Sequence, residues 1–325
     1  LRFPSGKSGR LDRHPGRGPY DGDGMPRPRP LFLMGNKRSG STLTVNMLNS
    51  HPRVFVSHES DIAWILYQAR KGMPARFEVH PLDSAMMMTS TLRSGRRILK
   101  RTLGRSPSHD DIVEAFYAVE TRLMDQWLRH RSSLRGRAWR RLREIGRRPT
   151  LARIRHAMAM KPDPLHKEDL AWIGDKKHAQ HMDPDIRAFL EEHFPDARYI
   201  HIVRNPKGVV ASMVEASKTW FVLPEYFKGS AQQILEQWAT HEELVQQAKE
   251  RERARILTVR LEDLCKRPLE TLSELFAFLE LEMTDAIRAR TKVLVHPFDP
   301  NAKYAEFPLP DLPRARRLMQ LYGYA

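Results

Sequence analysis

LFLMGNKRSGSTLTVNML, residues 31–48, sets an apolar run against a glycine, four residues, a second glycine, Ser-Thr and then a helical spacing of apolar residues. The four apolar residues 31–34 read as a buried strand. Gly35 and Gly40 permit a tight backbone path around an anion. Ser41 and Thr42 then open a helix whose first amides and positive dipole end face that anion. A nucleotide triphosphatase carries Lys directly after the second glycine. Here that position is Ser41, and the positive charges sit earlier, on Lys37 and Arg38. A loop built so fits a single phosphate carrying one further group, rather than a triphosphate chain with magnesium.

Working outward, five short strand-like runs appear at 31–34, 54–56, 172–173, 198–203 and 255–259. Most are followed by helical periodicity. The alternation predicts an α/β fold with a parallel sheet covered on both faces. In such sheets ligands gather at the carboxyl ends of the strands. Between the second and third runs lies a long insertion, roughly 61–170, that reads as mostly helical. Ile112, Phe116, Val119, Leu123 and Trp127 give residues 111–127 good helical apolar spacing.

Composition narrows the class. The chain has 325 residues, enough for one large domain or two small ones, and a formal net charge of +16. That charge implies an anionic ligand, surface or polymer. Its densest source is 129–155, with eleven Arg against the single acid Glu144. That segment reads as a solvated helical pair or as a docking surface for something anionic. It has no aromatic interleaving, zinc spacing or recognition-helix signature, so nucleic acid is not the expected partner. The single cysteine, Cys265, allows no intrachain disulfide and reads as a small buried residue. No window approaches the ~18 apolar residues of a membrane span. Residues 1–30, rich in Gly, Pro and Arg, cannot bury a core and are expected to be disordered. Met25 in that segment is a candidate start of translation.

GNKRSGST, residues 35–42, resembles the 5′-phosphosulfate loop of sulfotransferases that use 3′-phosphoadenosine-5′-phosphosulfate (PAPS). A second motif of that family is a strand ending in Arg with a Ser eight residues later. It is matched by YIHIVRNPKGVVAS, residues 199–212, with Arg204 and Ser212. The segment 259–279 resembles the strand, acidic turn and helix that close the family's sheet, with Glu262 and Asp263 structural. LMQLYGY, residues 318–324, resembles the ending of bacterial members. The resemblance covers 31–325 and implies a P-loop-like three-layer fold: a central parallel sheet flanked by helices, with a basic helical insertion at about 85–160.

The resemblance implies roles. Lys37, Arg38, Ser39, Gly40, Ser41 and Thr42 would hold the phosphosulfate. Arg204 and Ser212 would grip the 3′-phosphate. Many relatives carry Lys where this chain has Arg38, and Arg cannot give up a proton, so its role would be electrostatic. Glu59 follows the second strand run, which is expected to lie beside the first with both ends opening on one cleft, and it matches the segment that holds a catalytic Glu in related carbohydrate and tyrosylprotein sulfotransferases. It is the expected general base, with His58 its competitor. WIGDKKH, residues 172–178, resembles the family's Gly-acidic-Lys-Thr-Pro segment, so Lys176 would reach the sulfonate. Lys177 and His178 depart from that pattern. Lys303, Arg314, Arg316 and Arg317 are candidates for a further 3′-phosphate contact.

The expected activity is a PAPS-dependent sulfotransferase acting without a metal on a hydroxyl or amine of a carbohydrate, lipid or small molecule. Its expected setting is a bacterial cytoplasm. The alternatives are a P-loop kinase or nucleotide-binding protein, and a non-catalytic basic binding protein.

Overall fold

The computed structural model describes residues 27–73, 107–132, 167, 169–219, 229–252, 255–294 and 297–324. Five strands form one all-parallel sheet: β1 (Arg29–Gly35), β2 (Val54–His58), β3 (Trp172–Lys176), β4 (Arg198–Val203) and β5 (Ile256–Arg260), in the order β2-β3-β1-β4-β5. The expected α/β sandwich is therefore present. One placement differs from expectation. β2 does not lie beside β1, because β3 sits between them and pairs with both.

The apolar run at 172–173 also understates β3. That strand continues through Gly174, Asp175 and Lys176. A Cβ on Gly174 would lie 1.8 Å from the Leu31 carbonyl oxygen, so glycine is what lets β1 close against β3 here. The two charged residues stay buried because each finds polar partners, described below.

Alternation along β1 builds the layers. Phe32 and Met34 join Phe55, Ile173 and Tyr199 on one face, and Leu31 and Leu33 join Val54, Val56, Trp172, Ile200 and Ile202 on the other. Helices α2 (Ile62–Arg70), α3 (His109–Ser132), α4 (Pro184–His193) and part of α6 (Ala231–Glu252) cover the first face. Helices α1 (Ser41–Leu48), α8 (Pro268–Phe278) and α9 (Asp285–Leu294) cover the second. A third cluster packs Val203 against α5 (Pro206–Thr219), α6 and α10 (Pro313–Leu321). The short helix α7 (Leu261–Lys266) follows β5 directly. Cys265 is buried, as expected.

The helical stretch expected at 111–127 lies inside α3. Most of the arginine-rich 129–155, residues 1–26 of the Gly/Pro/Arg-rich segment and most of the insertion at 85–160 lie outside the described residues. Arg29 and Pro30, expected within the disordered 1–30, instead begin β1 by pairing with Trp172 and Ile173. No helix among the described residues is long and apolar enough to cross a membrane.

Candidate active site

Sheet register brings the motifs to one edge. Val203 pairs with Arg260, Gly35 with Ile202, Leu33 with Lys176 and Lys176 with His58. The loop after β1, the residues after β2, the end of β3 and Arg204 after β4 therefore all leave the sheet at its carboxyl edge, where an open α/β sheet binds ligands.

The loop after β1 is shaped by two left-handed residues, Arg38 (φ 67°) and Gly40 (φ 84°). Gly40 stands at the N-cap of α1, and no side chain caps the helix there. A Cβ on Gly40 would lie 2.3 Å from a Leu261 methyl, so the loop needs glycine both for its φ and for its contact with α7. The first amides of α1 thus have neither an intrahelical partner nor a capping side chain. Ser39 Oγ is buried with no hydrogen-bond partner among the described residues. Lys37 is buried, Arg38 and Thr42 are exposed, and Ser41 is buried. Free amides at a helix start, an orphaned hydroxyl and two cations suit phosphate oxygens.

Arg38 and Arg204 meet. Arg204 Nη1 donates to the Arg38 carbonyl at 2.9 Å, Nε to Asn301 Oδ1 at 2.9 Å and Nη2 to the Pro300 carbonyl at 2.6 Å. Arg38 Nε donates to Ser212 Oγ at 2.9 Å, so the hydroxyl expected beside Arg204 stands against Arg38. The start of α5 follows sequence reasoning. Asn205 Oδ1 accepts from the Lys207 amide, and Pro206 occupies the first helical position.

Glu59 and Lys176 also meet, Nζ to Oε1 at 2.6 Å, with the lysine almost fully buried. His178 Nδ1 lies 3.7 Å from the same oxygen. Burial alone raises the Glu59 carboxyl, but Lys176, His178 and Lys177 outweigh it and hold it at about 2. Lys177 pairs with Asp61 at 2.5 Å. Glu59 (φ 54°) and Asp61 (φ 57°) both adopt the left-handed conformation, and the Glu59 amide donates to the Lys176 carbonyl at 2.9 Å. Two such residues within three, neither of them glycine, mark a strained strap that its surroundings hold in place. His58, the competing base, is exposed at the end of β2.

Of the polar frame behind these loops, sequence reasoning named Glu262 and the 318–324 ending but not Asn36, His241, Glu242 or Asn301. Asn36 contacts His241 Nδ1 at 2.7 Å and donates to Glu242 Oε1 at 2.7 Å. Glu242 Oε2 accepts from the Tyr322 hydroxyl at 2.7 Å. Burial and then the Glu242 charge push that hydroxyl upward, so it stays a donor. Tyr324 donates to Glu262 Oε2 at 2.8 Å, and Glu262 Oε1 accepts from the Asn205 amide and Asn301 Nδ2. Tyr-Gly-Tyr at 322–324 thus supports both loops, reaching Asn36 on one side and Arg204 on the other. Of the basic candidates near the C-terminus, Lys303 pairs with Glu215, Arg314 with Glu243 and Arg316 with Asp311. Asn301 and Pro300 reach Arg204 instead.

A sequence model described as the sulfotransferase family matches residues 30–285. Among solved structures, the chain is similar to the sulfotransferase domain from the curacin biosynthetic pathway, at 18% identity over 92% of this chain and 99% of that one, with a TM-score of 0.52. It is similar to the sulfotransferase domain from the Synechococcus PCC 7002 olefin synthase at 19% identity over 92% and 96%, again with a TM-score of 0.52. At such identities these likenesses carry the fold. No curated protein matches the chain by sequence.

Proposed function

The chain belongs to the sulfotransferase family, and from that membership we propose that it moves a sulfuryl group from PAPS to a hydroxyl or amine of a carbohydrate, lipid or small-molecule acceptor. The observation that supports the reading is that four candidate residues meet at one sheet edge: Arg204 bonds the Arg38 carbonyl, and Glu59, just past β2, pairs with Lys176 at the end of β3.

In this reading the donor supplies a sulfonate linked through oxygen to a phosphate. The acceptor oxygen attacks sulfur in line, the sulfur–oxygen bond to the phosphate breaks, and adenosine 3′,5′-bisphosphate leaves. The acceptor proton passes to Glu59. Lys37, Ser39, Gly40, Ser41 and Thr42 hold the 5′-phosphosulfate with amides, hydroxyls and charge. Arg38 stabilises charge on the leaving oxygen, and Arg204 with Ser212 grips the 3′-phosphate. Lys176 has two anionic claimants, Glu59 and the sulfonate. As the donor draws Lys176 toward it, Glu59 loses its main partner and regains basicity. The base is thereby masked until the donor is in place.

The test is ligand-induced stabilisation followed by an acceptor screen. Adenosine 3′,5′-bisphosphate without magnesium should raise the unfolding temperature, by about 2.7 kcal/mol of stabilisation at 100 times its dissociation constant. Stabilisation by ATP with magnesium but not by the bisphosphate would overturn the reading. Radiolabelled donor then identifies the acceptor.

A further inference from the structure

Behind the strap that carries Glu59 lies a cluster that the proposed chemistry does not use. Glu120 comes from α3 and Asp175 from β3, and neither has exposed surface. Ser57 Oγ stands between them, 3.1 Å from Asp175 Oδ1 and 3.2 Å from Glu120 Oε1. Ser60 Oγ is 3.0 Å from the same Glu120 oxygen, and the Ser60 amide donates to Asp175 Oδ1 at 3.0 Å. Glu120 Oε2 and Asp175 Oδ2 have no hydrogen-bond partner among the described residues.

Counting hydrogens decides the charge state. The Ser57 hydroxyl has one proton and two carboxyl neighbours. With both acids ionised, one of those contacts would set oxygen against oxygen with no hydrogen between. Two like charges would also share a dry site. The nearby cations do not relieve this. Lys176 and Lys177 are turned to Glu59 and Asp61. His181, from the 3-10 turn Ala179–Met182, contacts the Leu33 carbonyl through Nδ1, and its Nε2 lies 3.7 Å from Asp175 Oδ2. A proton on Glu120 resolves the count, since Glu120 then donates to Ser57 and Ser57 donates to Asp175. Burial and then the Asp175 charge push the Glu120 carboxyl well upward; burial pushes Asp175 upward as well, opposed there by the Ser60 amide, Lys177, Ser57 and Lys176.

We propose that Glu120 and Asp175 hold one proton between them and, through Ser57 and Ser60, position Glu59. The inference rests on the reading of Glu59 as the general base. Ser57, in β2, and Ser60, on the strained strap, flank Glu59, so the carboxyl pair fixes both ends of the segment that aims the base. Glu120 and Asp175 touch neither donor nor acceptor in this scheme, and they are positioning residues. Through Ser57 and Ser60, Glu120 also ties the insertion helix α3 to the segment that carries the base.

Infrared spectroscopy and kinetics on the full chain test this. Wild type should show the carbonyl stretch of a buried protonated carboxyl at neutral pH, and Glu120→Gln should lack it. Glu120→Gln keeps the shape and a donor, so it should retain kcat to within about threefold. Glu120→Ala should lose about 100-fold in kcat through misplacement of the base, with the Kd for adenosine 3′,5′-bisphosphate unchanged. Ser57→Ala, which keeps both carboxyls, should lower kcat in the same direction and serves if Glu120→Ala does not fold. The proposal is overturned if the band is missing from wild type or survives in Glu120→Gln. It is also overturned if Glu120→Gln loses as much kcat as Glu120→Ala, or if Ser57→Ala turns over normally. The band does not depend on turnover. A wild type that shows the band but transfers nothing from PAPS therefore overturns the functional reading, and with it the positioning of a base, while the shared proton stands.

Discussion

The Arg204 guanidinium donates through Nη1 to the main-chain carbonyl of Arg38 at 2.9 Å. A residue after β4 thereby fixes the backbone of the loop after β1, at the point where that loop turns left-handed. The contact joins into one wall two elements that are 166 residues apart in the chain.

Arg204→Ala should therefore act on nucleotide binding in two ways, by removing a cation and by loosening the Arg38 turn. Hydrogen bonds to charged groups contribute about 1.5–3 kcal/mol each, so the Kd for adenosine 3′,5′-bisphosphate should rise at least about tenfold. Arg204→Lys should not restore it, because an ammonium cannot serve Arg38, Pro300 and Asn301 together. Calorimetric titration of the three proteins checks both statements.

Gly208→Ala tests the same wall from outside. A Cβ there would lie 2.0 Å from Asn301 Oδ1 and 2.7 Å from Arg204 Nε. Within a helix, Gly→Ala ordinarily stabilises by roughly 0.5–1 kcal/mol. Here the methyl should displace Asn301 from Arg204. The expected result is nucleotide affinity lowered several-fold with little change in unfolding temperature. An unchanged Kd would show that Asn301 has no part in orienting Arg204.

The strands were legible because each is a short apolar run and most precede a helical pattern, and Arg38, Glu59, Lys176 and Arg204 were named because the segments that hold them resemble sulfotransferase motifs. Strand order was not legible. β3 enters between β1 and β2 after a long insertion, and no local signal encodes that crossover. The polar frame was partly legible. Glu120 continues the stripe of Ile112, Phe116, Val119 and Leu123, and Glu242 lies on the stripe of Leu235, Trp238 and Val245. A carboxylate at a core position of a helix is rarely buried without partners, and that is a readable flag. Asn301 carried no such flag, since its partner Arg204 is 97 residues away in sequence.

Tyr322→Phe should cost more stability than Tyr324→Phe. Tyr322 donates to Glu242, which is fully buried and otherwise has Asn36 and, at 3.2 Å, His201 Nε2. Removing the donor leaves a charged oxygen under-satisfied, at about 1–3 kcal/mol. Glu262 keeps two donors on Oε1 when Tyr324 loses its hydroxyl, and it retains some exposure. Scanning calorimetry should rank the pair in that order, with Tyr322→Phe lower in Tm by several degrees.

Glu59→Gln should separate binding from chemistry. Loss of a positioned base costs about 10²–10⁴-fold in rate, while the Kd for adenosine 3′,5′-bisphosphate should hold. pH adds an independent check. The Glu59 carboxyl is depressed from the usual carboxylate range to about 2, chiefly by Lys176 acting against burial. A group with a depressed folded value contributes stability that is present above its unfolded value, about 4.3, and is lost as pH falls toward 2. The stability advantage of wild type over Glu59→Gln should therefore be constant above about pH 5 and shrink below about pH 4. In kinetics, kcat/KM reports the free enzyme and kcat the complex. If Lys176 leaves Glu59 for the donor, the acid limb of kcat should lie at higher pH than that of kcat/KM. Coincident acid limbs would mean that Lys176 stays on Glu59 throughout the cycle and that the base is not masked.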